Sequence, residues 1–247
     1  MTSVVTKPST KEYIISNNSP LIKYDLDEEM KTVTIKVMPN ASGSMVVYNT
    51  KDHDIDFTMQ IELMQNATFK LYNITTTDHD VNIKVLCDLK EQNSLFENLS
   101  VSLSGASSNY NSYTNINHLA PNTTSELSVY AIAKGKASVK LDNNAFIKKG
   151  CSKAVAHQKA KGLTLDKTSS IKALPNLFID EYDVIANHAA SIGSLNPEDL
   201  FYLMSRGLNK EEASKIIIMG FITPLVEKIS DNETKQMILN KFLEKAI

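Results

Sequence analysis

Few residues of this chain have the types and spacing that catalysis or metal binding requires. The sequence has no phosphate-binding GxxxxGK(S/T) loop, GxGxxG turn, GxSxG nucleophile motif or HExxH zinc helix. It contains two cysteines, Cys87 and Cys151, and no CxxC pair. Two thiolates are half of the roughly four ligands that an iron–sulfur cluster usually takes. The chain is therefore predicted to hold no such cofactor by itself and to be no enzyme of these classes.

Cys151 is the cysteine with the more reactive setting. It lies among Lys148, Lys149 and Lys153, whose positive charges favour a thiolate, and it is a candidate metal ligand. The alternative is an ordinary cysteine at a corner of the fold, because closeness in sequence does not fix exposure. Cys87 is predicted to be a core residue, since free cysteine is among the most buried residue types.

The histidines divide between structural and ligand roles. His188 lies where the strand period gives way to a helix period, and both a hydrogen-bonded structural role and a metal-ligand role are open to it. His118 is interpreted in the same way. Two Asp-His-Asp phrases, at 52–54 and 78–80, offer metal ligands in principle. Each precedes a strand, where Asp usually bonds its own backbone in a turn, so a turn is favoured.

These residues are positioned by an all-β block. From about residue 31 to 179, apolar residues alternate with polar ones in short runs, which is the strand signal. The Asp-His-Asp phrase and its strand recur at a fixed offset, as in stacked coils. No Asn-Gly or Asp-Gly hairpin turn occurs, and the chain has only 8 glycines. A solenoid is therefore preferred to an antiparallel sandwich.

After residue 194 the pattern changes to that of short helices. Three are predicted, beginning at about Asn196, Asn209 and Asn232. Pro197 suits the first turn of the first helix, and Gly207 ends it. Glu212 completes a capping box in the second helix, which Gly220 and Pro224 are expected to interrupt or end. Three short helices are too small to be stable alone, so they must pack on the β block or on a partner.

The overall composition excludes several partners. With 26 basic and 28 acidic residues the net charge is −2, which argues against a surface built for nucleic acid or for anionic lipid. The segment 1–25 contains no continuous apolar run like that of a signal peptide. The longest apolar stretch, 216–226, is about half a bilayer span. A cytoplasmic protein is predicted, with no membrane or nucleic-acid partner.

Several phrases resemble the SufB/SufD family, the scaffold subunits of the SUF iron–sulfur cluster assembly system. The most specific is LFYLMSRGL at 200–208; others are HLAPNTTS at 118–125, AHQ at 156–158 and PNLFI at 175–179. The resemblance implies a right-handed parallel β-helix followed by a small C-terminal α-helical subdomain. It also implies a complex with a SufB-like subunit and with a SufC-like ABC ATPase, which carries the nucleotide site.

Two departures from the SufB pattern favour the SufD branch. Lys159 occupies the position of the SufB scaffold cysteine, and Ala189 follows His188 where SufB-like chains have glutamate. The resemblance to SufD implies that His188 is a ligand or proton-handling group at the shared interface. No cofactor is then expected on the isolated chain, and iron or an iron–sulfur cluster would be held there only transiently.

The combined prediction divides the chain into an N-terminal extension (1–30), a β-helix core (31–193) and a helical subdomain that docks the ATPase (194–247). The predicted function is a non-catalytic SufD-like subunit. Two alternatives stay open. One is a SufB-like scaffold that assembles clusters itself, as a homodimer. The other is a carbohydrate-active β-helix enzyme that uses the Asp-His-Asp carboxylates.

Overall fold

The chain forms two parallel β-sheets followed by helices. The computed structural model describes residues 10–26 and 31–245. Sheet A consists of the odd-numbered strands in the order β1 (Thr10–Ile15), β3 (Thr32–Val37), β5 (Ile55–Leu63), β7 (Val81–Leu89), β9 (Asn109–His118), β11 (Ser138–Ile147) and β13 (Ser170–Ile179). Sheet B consists of the even-numbered strands β2 (Leu21–Asp25), β4 (Ser42–Tyr48), β6 (Thr68–Thr77), β8 (Leu95–Ser104), β10 (Thr124–Ala133), β12 (Ala154–Thr164) and β14 (Val184–Ser194).

One strand of each sheet makes a rung, and successive rungs stack in parallel register. The rungs of β5 and β7 illustrate the repeat, because Ile55 pairs with Val81, each directly following its own Asp-His-Asp phrase. The predicted solenoid and its period are confirmed. Cys87 pairs with Ile61 and is fully buried, as its place in the alternating pattern predicts.

The corner from sheet A to sheet B repeats one backbone conformation. A residue with positive φ, between 56° and 61°, occurs in five successive corners at Asn40, Asn66, Asn93, Asn122 and Lys153. Asparagine tolerates this left-handed conformation better than most residues. Asn66 Nδ2 also donates to Asn40 Oδ1 at 2.8 Å, and Asn93 Nδ2 donates to Asn66 Oδ1 at 2.9 Å. A ladder of side-chain amides therefore ties consecutive rungs together.

The interior changes along the solenoid. The early and middle rungs are filled by large side chains, whereas the inward side of β12 carries small ones, namely Ala154, Ala156 and Ala160. Gly162 is required by close packing, because a Cβ there would lie 3.0 Å from a side-chain carbon of Ile171 and 3.2 Å from one of Ile192. Small residues thus let the two sheets approach each other near the C-terminal end.

Three helices complete the chain, namely α1 (Pro197–Ser205), α2 (Lys210–Val226) and α3 (Asn232–Lys245). The predicted starts of the first two are confirmed, since Asn196 caps α1 and Asn209 forms a capping box with Glu212. The expectation that Gly220 and Pro224 interrupt or end α2 is wrong. Both lie on the exposed side of α2, and the helix continues past them because residues on its other side are buried.

Helices α2 and α3 cover the outer face of sheet B. Ile218, Ile222, Ile238 and Phe242 are fully buried against outward side chains of that sheet. The predicted packing of the helices on the β block is therefore confirmed. Among the described residues, no helix combines the length and the apolar character that a membrane crossing needs.

The first rung lies earlier than the sequence boundaries suggested. Strands β1 and β2 fall inside the segment 1–30 that was assigned to an N-terminal extension, and they pair with β3 and β4. Within the described residues, the strands therefore begin at Thr10 rather than near residue 31, and the short, partly exposed β1 and β2 give only a weak alternating signal in the sequence. The wider division into domains stays a prediction.

Candidate functional site at the open end of the solenoid

The last rung leaves the solenoid open at its C-terminal end. Strands β13 and β14 each pair on one side only, with β11 and β12. Large apolar side chains are exposed on this rung and its corner, namely Phe178, Ile179, Tyr182, Ile185 and Ile192. Edge strands with unpaired backbone groups and an apolar surface are a template for pairing with another chain. We call this region the open end.

His188 lies on the inward side of β14 at the open end. It pairs with Gln158 of β12, an inward-facing residue, and Ala186, two residues earlier, packs in the buried cluster of the last rungs. Because strand residues alternate sides, the His188 side chain faces the same way as Ala186. It is nevertheless exposed, since no further rung covers it. The structure thus places an exposed imidazole beside Gln158 at a surface that a partner can reach.

Cys151 occupies the corner between β11 and β12, and its side chain is buried. Its Sγ donates to the carbonyl oxygen of His118 at 3.2 Å. Burial raises the pKa of the thiol, which outweighs the opposing effect of Lys148. The sequence argument for an accessible thiolate is wrong, because the thiol is buried in the corner and donates to the carbonyl oxygen of His118. Its role as a metal ligand stays a prediction that the geometry does not favour.

His118 has the hydrogen-bonded structural role, one of the two roles that the sequence leaves open for it. It is fully buried, with Nδ1 2.8 Å from Thr123 Oγ1 and Nε2 2.9 Å from Ser125 Oγ. Thr123 Oγ1 donates its proton to the carbonyl oxygen of Ala120, so it accepts from Nδ1–H. Burial lowers the pKa of His118 to about 4. The HLAPNTTS phrase therefore builds a neutral, hydrogen-bonded corner.

The Asp-His-Asp phrases form turns that stack on each other. Asp52 accepts from the backbone N–H of Asp78, and Asp54 accepts from that of Asp80. Lys245, at the end of α3, contacts the carboxylates of both Asp52 and Asp78. Burial acts to raise the pKa of Asp52, but the hydrogen bonds from Lys245 and Asp78 lower it. The phrases lie at bends before β5 and β7, but Asp52 and Asp54 accept from the backbone of the next rung instead of from their own. Asp52 and Asp78 also anchor a helix through Lys245.

No ready-made metal centre accompanies these residues. In the part of the chain that the structure describes, no three His, Cys, Asp or Glu side chains converge closely enough to bind a metal ion. Neither His188 nor Cys151 therefore belongs to a group of three such ligands within that part of the chain. A cluster bound at His188 would need its other ligands from elsewhere.

Helix α1 is a second exposed apolar surface. None of its side chains is buried, and Phe201 (74% exposed), Tyr202 and Met204 face solvent beside Ile216 of α2. The helical spacing of Leu200, Phe201, Leu203 and Met204 in the sequence predicts an apolar face on this helix. The structure shows that this face is not covered by the β block, which periodicity alone does not reveal.

Comparison with known proteins assigns the family. Residues 4–221 match the sequence model of the SUF system FeS cluster assembly SufBD core domain. The chain belongs to the SufB/SufD family. The matched region contains the whole described solenoid, the open end and helix α1.

Individual relatives come from both branches of the SufB/SufD family. The chain is 37% identical over 127 residues to the iron-sulfur cluster assembly protein SufD of Bacillus subtilis, covering 51% of this chain and 29% of that protein. It is 30% identical over 143 residues to SufB of the same organism, covering 58% and 31%. A SufBD family protein of Mycobacterium tuberculosis is 31% identical over 133 residues, covering 54% and 16%. The alignments thus span less than a third of each relative.

Proposed function

We propose that this chain is a non-catalytic, SufD-like subunit of an iron–sulfur cluster assembly scaffold. It pairs with a SufB-like subunit through the open end, offers His188 to iron or a nascent cluster there, and binds a SufC-like ATPase through its helices. The observation that carries this proposal is the open end, where an exposed histidine lies on an apolar rung whose two strands each pair on one side only.

The shape of the open end suits a partner of similar build. A parallel rung that ends in free backbone groups is completed by strands from another solenoid. Pro175 of β13 has no N–H to contribute, and proline within a sheet is confined to edge strands and bulges. Exposed Phe178 stacks on Phe146 at a centroid distance of 4.4 Å and adds an aromatic contact at the rim. These features favour a second family member as the partner.

His188 has the chemistry of a shared ligand. A neutral imidazole nitrogen binds iron, but a single histidine leaves most of the coordination sites of iron unfilled. Because both cysteines of this chain are buried, thiolate ligands must come from the partner. The cluster is then cargo assembled between subunits instead of a resident cofactor.

Helix α1 is the proposed contact for the ATPase. Its exposed aromatic residues are rimmed by Arg206, whose guanidinium lies 5.3 Å from the Tyr202 ring centroid. An apolar centre with an arginine at its rim is typical of a docking surface. It lies on a helix that follows β14 directly, beside the open end in sequence but on different residues.

Co-purification with a SufB-like and a SufC-like subunit tests the assembly. Ile185→Lys at the open end should abolish SufB binding and spare SufC binding, whereas Phe201→Lys should do the reverse. Ile14→Lys is the matched control, because Ile14 (60% exposed) resembles Ile185 (62% exposed) but lies in the first rung. Normal SufB binding by the folded Ile185→Lys protein would overturn the proposed interface.

Cluster reconstitution tests the role of His188. In the purified complex, His188→Ala should preserve assembly and lower the cluster yield about tenfold, as expected for loss of a ligand or its support. His79→Ala, a change of a half-exposed histidine in a distant turn, should have no effect. An unchanged yield with His188→Ala would remove it from the mechanism. A coloured cluster held stably by the isolated chain would instead favour the SufB-like alternative.

A further inference from the structure

Gln158 is a buried amide whose orientation is fixed at one end only. It lies on the inward side of β12 and is 3% exposed. Its Nε2 donates to the carbonyl oxygen of Asn176 in β13, at 3.2 Å. The Asn176 carbonyl can only accept a hydrogen bond, so the nitrogen of the Gln158 amide must be the atom that faces it. The amide oxygen, Oε1, therefore faces the other way. Within the described residues, Oε1 is buried and has no hydrogen-bond partner.

A buried oxygen without a hydrogen-bond partner lowers the stability of the fold. This suggests that a donor reaches Gln158 Oε1 in an arrangement other than the one in the structure. Leaving a buried acceptor without a partner costs about 1–3 kcal/mol. Two residues pair with Gln158 in the sheet, Leu127 of β10 and His188 of β14. Of these two, His188 carries a side-chain donor. Neighbouring parallel strands lie about 4.8 Å apart, so side chains on the same face of paired residues are in reach of each other.

Asn143 is the competing donor. It faces inward from β11, is buried, and has neither amide atom hydrogen-bonded within the described part of the chain. Neither Asn143 nor His188 is bonded to Gln158 Oε1 in the structure, since that oxygen has no partner there, so either side chain would have to rotate to reach it. The exposed imidazole of His188 has more room to rotate than the enclosed Asn143 amide.

We propose that Gln158 is a positioning residue for His188. Gln158 Oε1 accepts the N–H of one nitrogen of the His188 ring, fixes one tautomer, and leaves the lone pair of the other nitrogen directed out of the open end. This rests on the proposed function, in which that nitrogen binds iron or a nascent cluster. Histidines that bind metals generally donate their other N–H to an acceptor of this kind, which sets both the tautomer and the ring orientation.

Histidine-selective ¹⁵N NMR of the full chain, at about pH 8 where an ordinary imidazole is neutral, tests the hydrogen bond directly. We expect one dominant His188 tautomer in the wild type and a mixture in Gln158→Met, which keeps the side-chain length and loses the oxygen. Gln158→Glu, which keeps an acceptor, should restore the single tautomer. Gln60→Leu, on the outer face of β5, is the matched control and should behave as wild type.

The outcomes separate the alternatives. Identical His188 signals in the wild type and Gln158→Met, or in a second variant Gln158→Leu if the first does not fold, would overturn the proposal. A mixture of His188 tautomers in Asn143→Ala but not in Gln158→Met would make Asn143, rather than Gln158, the residue that positions His188. That result would equally overturn the proposal.

Cluster reconstitution in the complex distinguishes this inference from the proposed function. Gln158→Met should lower the cluster yield about tenfold, with a smaller loss in Gln158→Glu. If the His188 tautomer depends on Gln158 while His188→Ala leaves the yield unchanged, positioning stands and the ligand role fails. If His188→Ala lowers the yield while the tautomer ignores Gln158, the ligand role stands and positioning fails.

Discussion

At the scale of single residues, the buried His118 shows how the solenoid keeps a titratable group neutral. Both ring nitrogens are satisfied by hydroxyl groups, one as donor and one as acceptor, and no carboxylate of the described residues pairs with the ring. Protonation would require Nε2 to donate to Ser125, whose hydroxyl now donates to it. The corner therefore disfavours the imidazolium by burial and by hydrogen-bond polarity together.

Stability should fall when pH drops below the ordinary range of histidine. The pKa of His118 in the folded state is about 4, below its ordinary value of 6.5, so the unfolded chain binds the proton more readily. The stabilisation is complete above about pH 6.5 and is lost progressively down to about pH 4, at a cost of about 3 kcal/mol. Urea denaturation across this interval measures it. His118→Gln should be less stable at neutral pH, and its free energy of unfolding should depend less on pH between about 6.5 and 4. An equally steep decline in this variant would show that His118 is not the group responsible.

Sequence reasoning at this scale succeeded where side chains follow the strand period and failed where they do not. Cys87 lies in a strand, so alternation alone places it in the core. Cys151 lies in a corner, where the strand period does not apply, and its thiol is buried despite the lysines beside it in sequence. His188 was singled out by resemblance, but its partner Gln158 required the register between β12 and β14, which joins distant parts of the chain and is not visible locally.

At the scale of elements, helix α2 shows that packing can outweigh residues that usually end a helix. Proline inside a helix costs about 3 kcal/mol and glycine about 1 kcal/mol relative to alanine. Burial of Ile218, Ile222, Leu225 and Val226 against sheet B offsets these costs. Caps are local signals, so the helix starts were predictable. The continuation past Gly220 and Pro224 depends on the sheet beneath and was not.

Two glycine-to-alanine substitutions should change the free energy of unfolding in opposite directions. Gly220→Ala should stabilise the protein by about 0.5–1 kcal/mol, because Gly220 lies in the exposed interior of α2. Gly207→Ala should destabilise it by about 1–2 kcal/mol, because Gly207 has φ 97° at the end of α1. A Cβ at either position would meet nothing within 4 Å, so backbone conformation alone decides the difference. Urea denaturation measures both, and equal signs would refute this explanation.

The corner ladder shows a further limit of local pattern reading. The left-handed residues of successive corners are spaced more widely toward the C-terminal end, from Asn40 and Asn66 to Asn122 and Lys153. The spacing grows because β4 and β5, which lie between the first pair, have 7 and 9 residues, whereas β10 and β11, which lie between the second pair, have 10 each. A search at one fixed period finds only part of the solenoid, which is where the repeated Asp-His-Asp phrase occurs.

At the scale of the whole molecule, the two sheets have different outer faces. Helices α2 and α3 cover sheet B, while the outer face of sheet A is polar and carries asparagine and carboxylate pairs such as Asn111–Asn82 and Asn117–Asp88. The sequence predicted that the helices pack somewhere but did not say where. The outward residues of sheet B determine where the helices pack, since they include the apolar Ile74, Val101 and Ile132.

The helical layer should unfold separately from the solenoid. Phe242 of α3 is fully buried at the centre of the contact with sheet B, while ion pairs hold the helix at its ends, through Lys23 with Asp231 and Lys245 with Asp52. Phe242→Ala should cost about 3–5 kcal/mol in this layer. Because the rungs pair chiefly with each other, the solenoid should keep its own hydrogen bonds.

Amide hydrogen exchange of the full chain distinguishes local from global unfolding. In Phe242→Ala we expect α2 and α3 to lose protection about a hundredfold or more, as about 3–5 kcal/mol implies, while strands β5 to β12 exchange as in the wild type. Phe201→Ala, on the exposed α1, should change neither. An equal loss of protection in helices and strands would show one cooperative unit. Separate unfolding would mean that the helices, which carry the proposed ATPase contact, can shift on sheet B without disturbing the open end that presents His188.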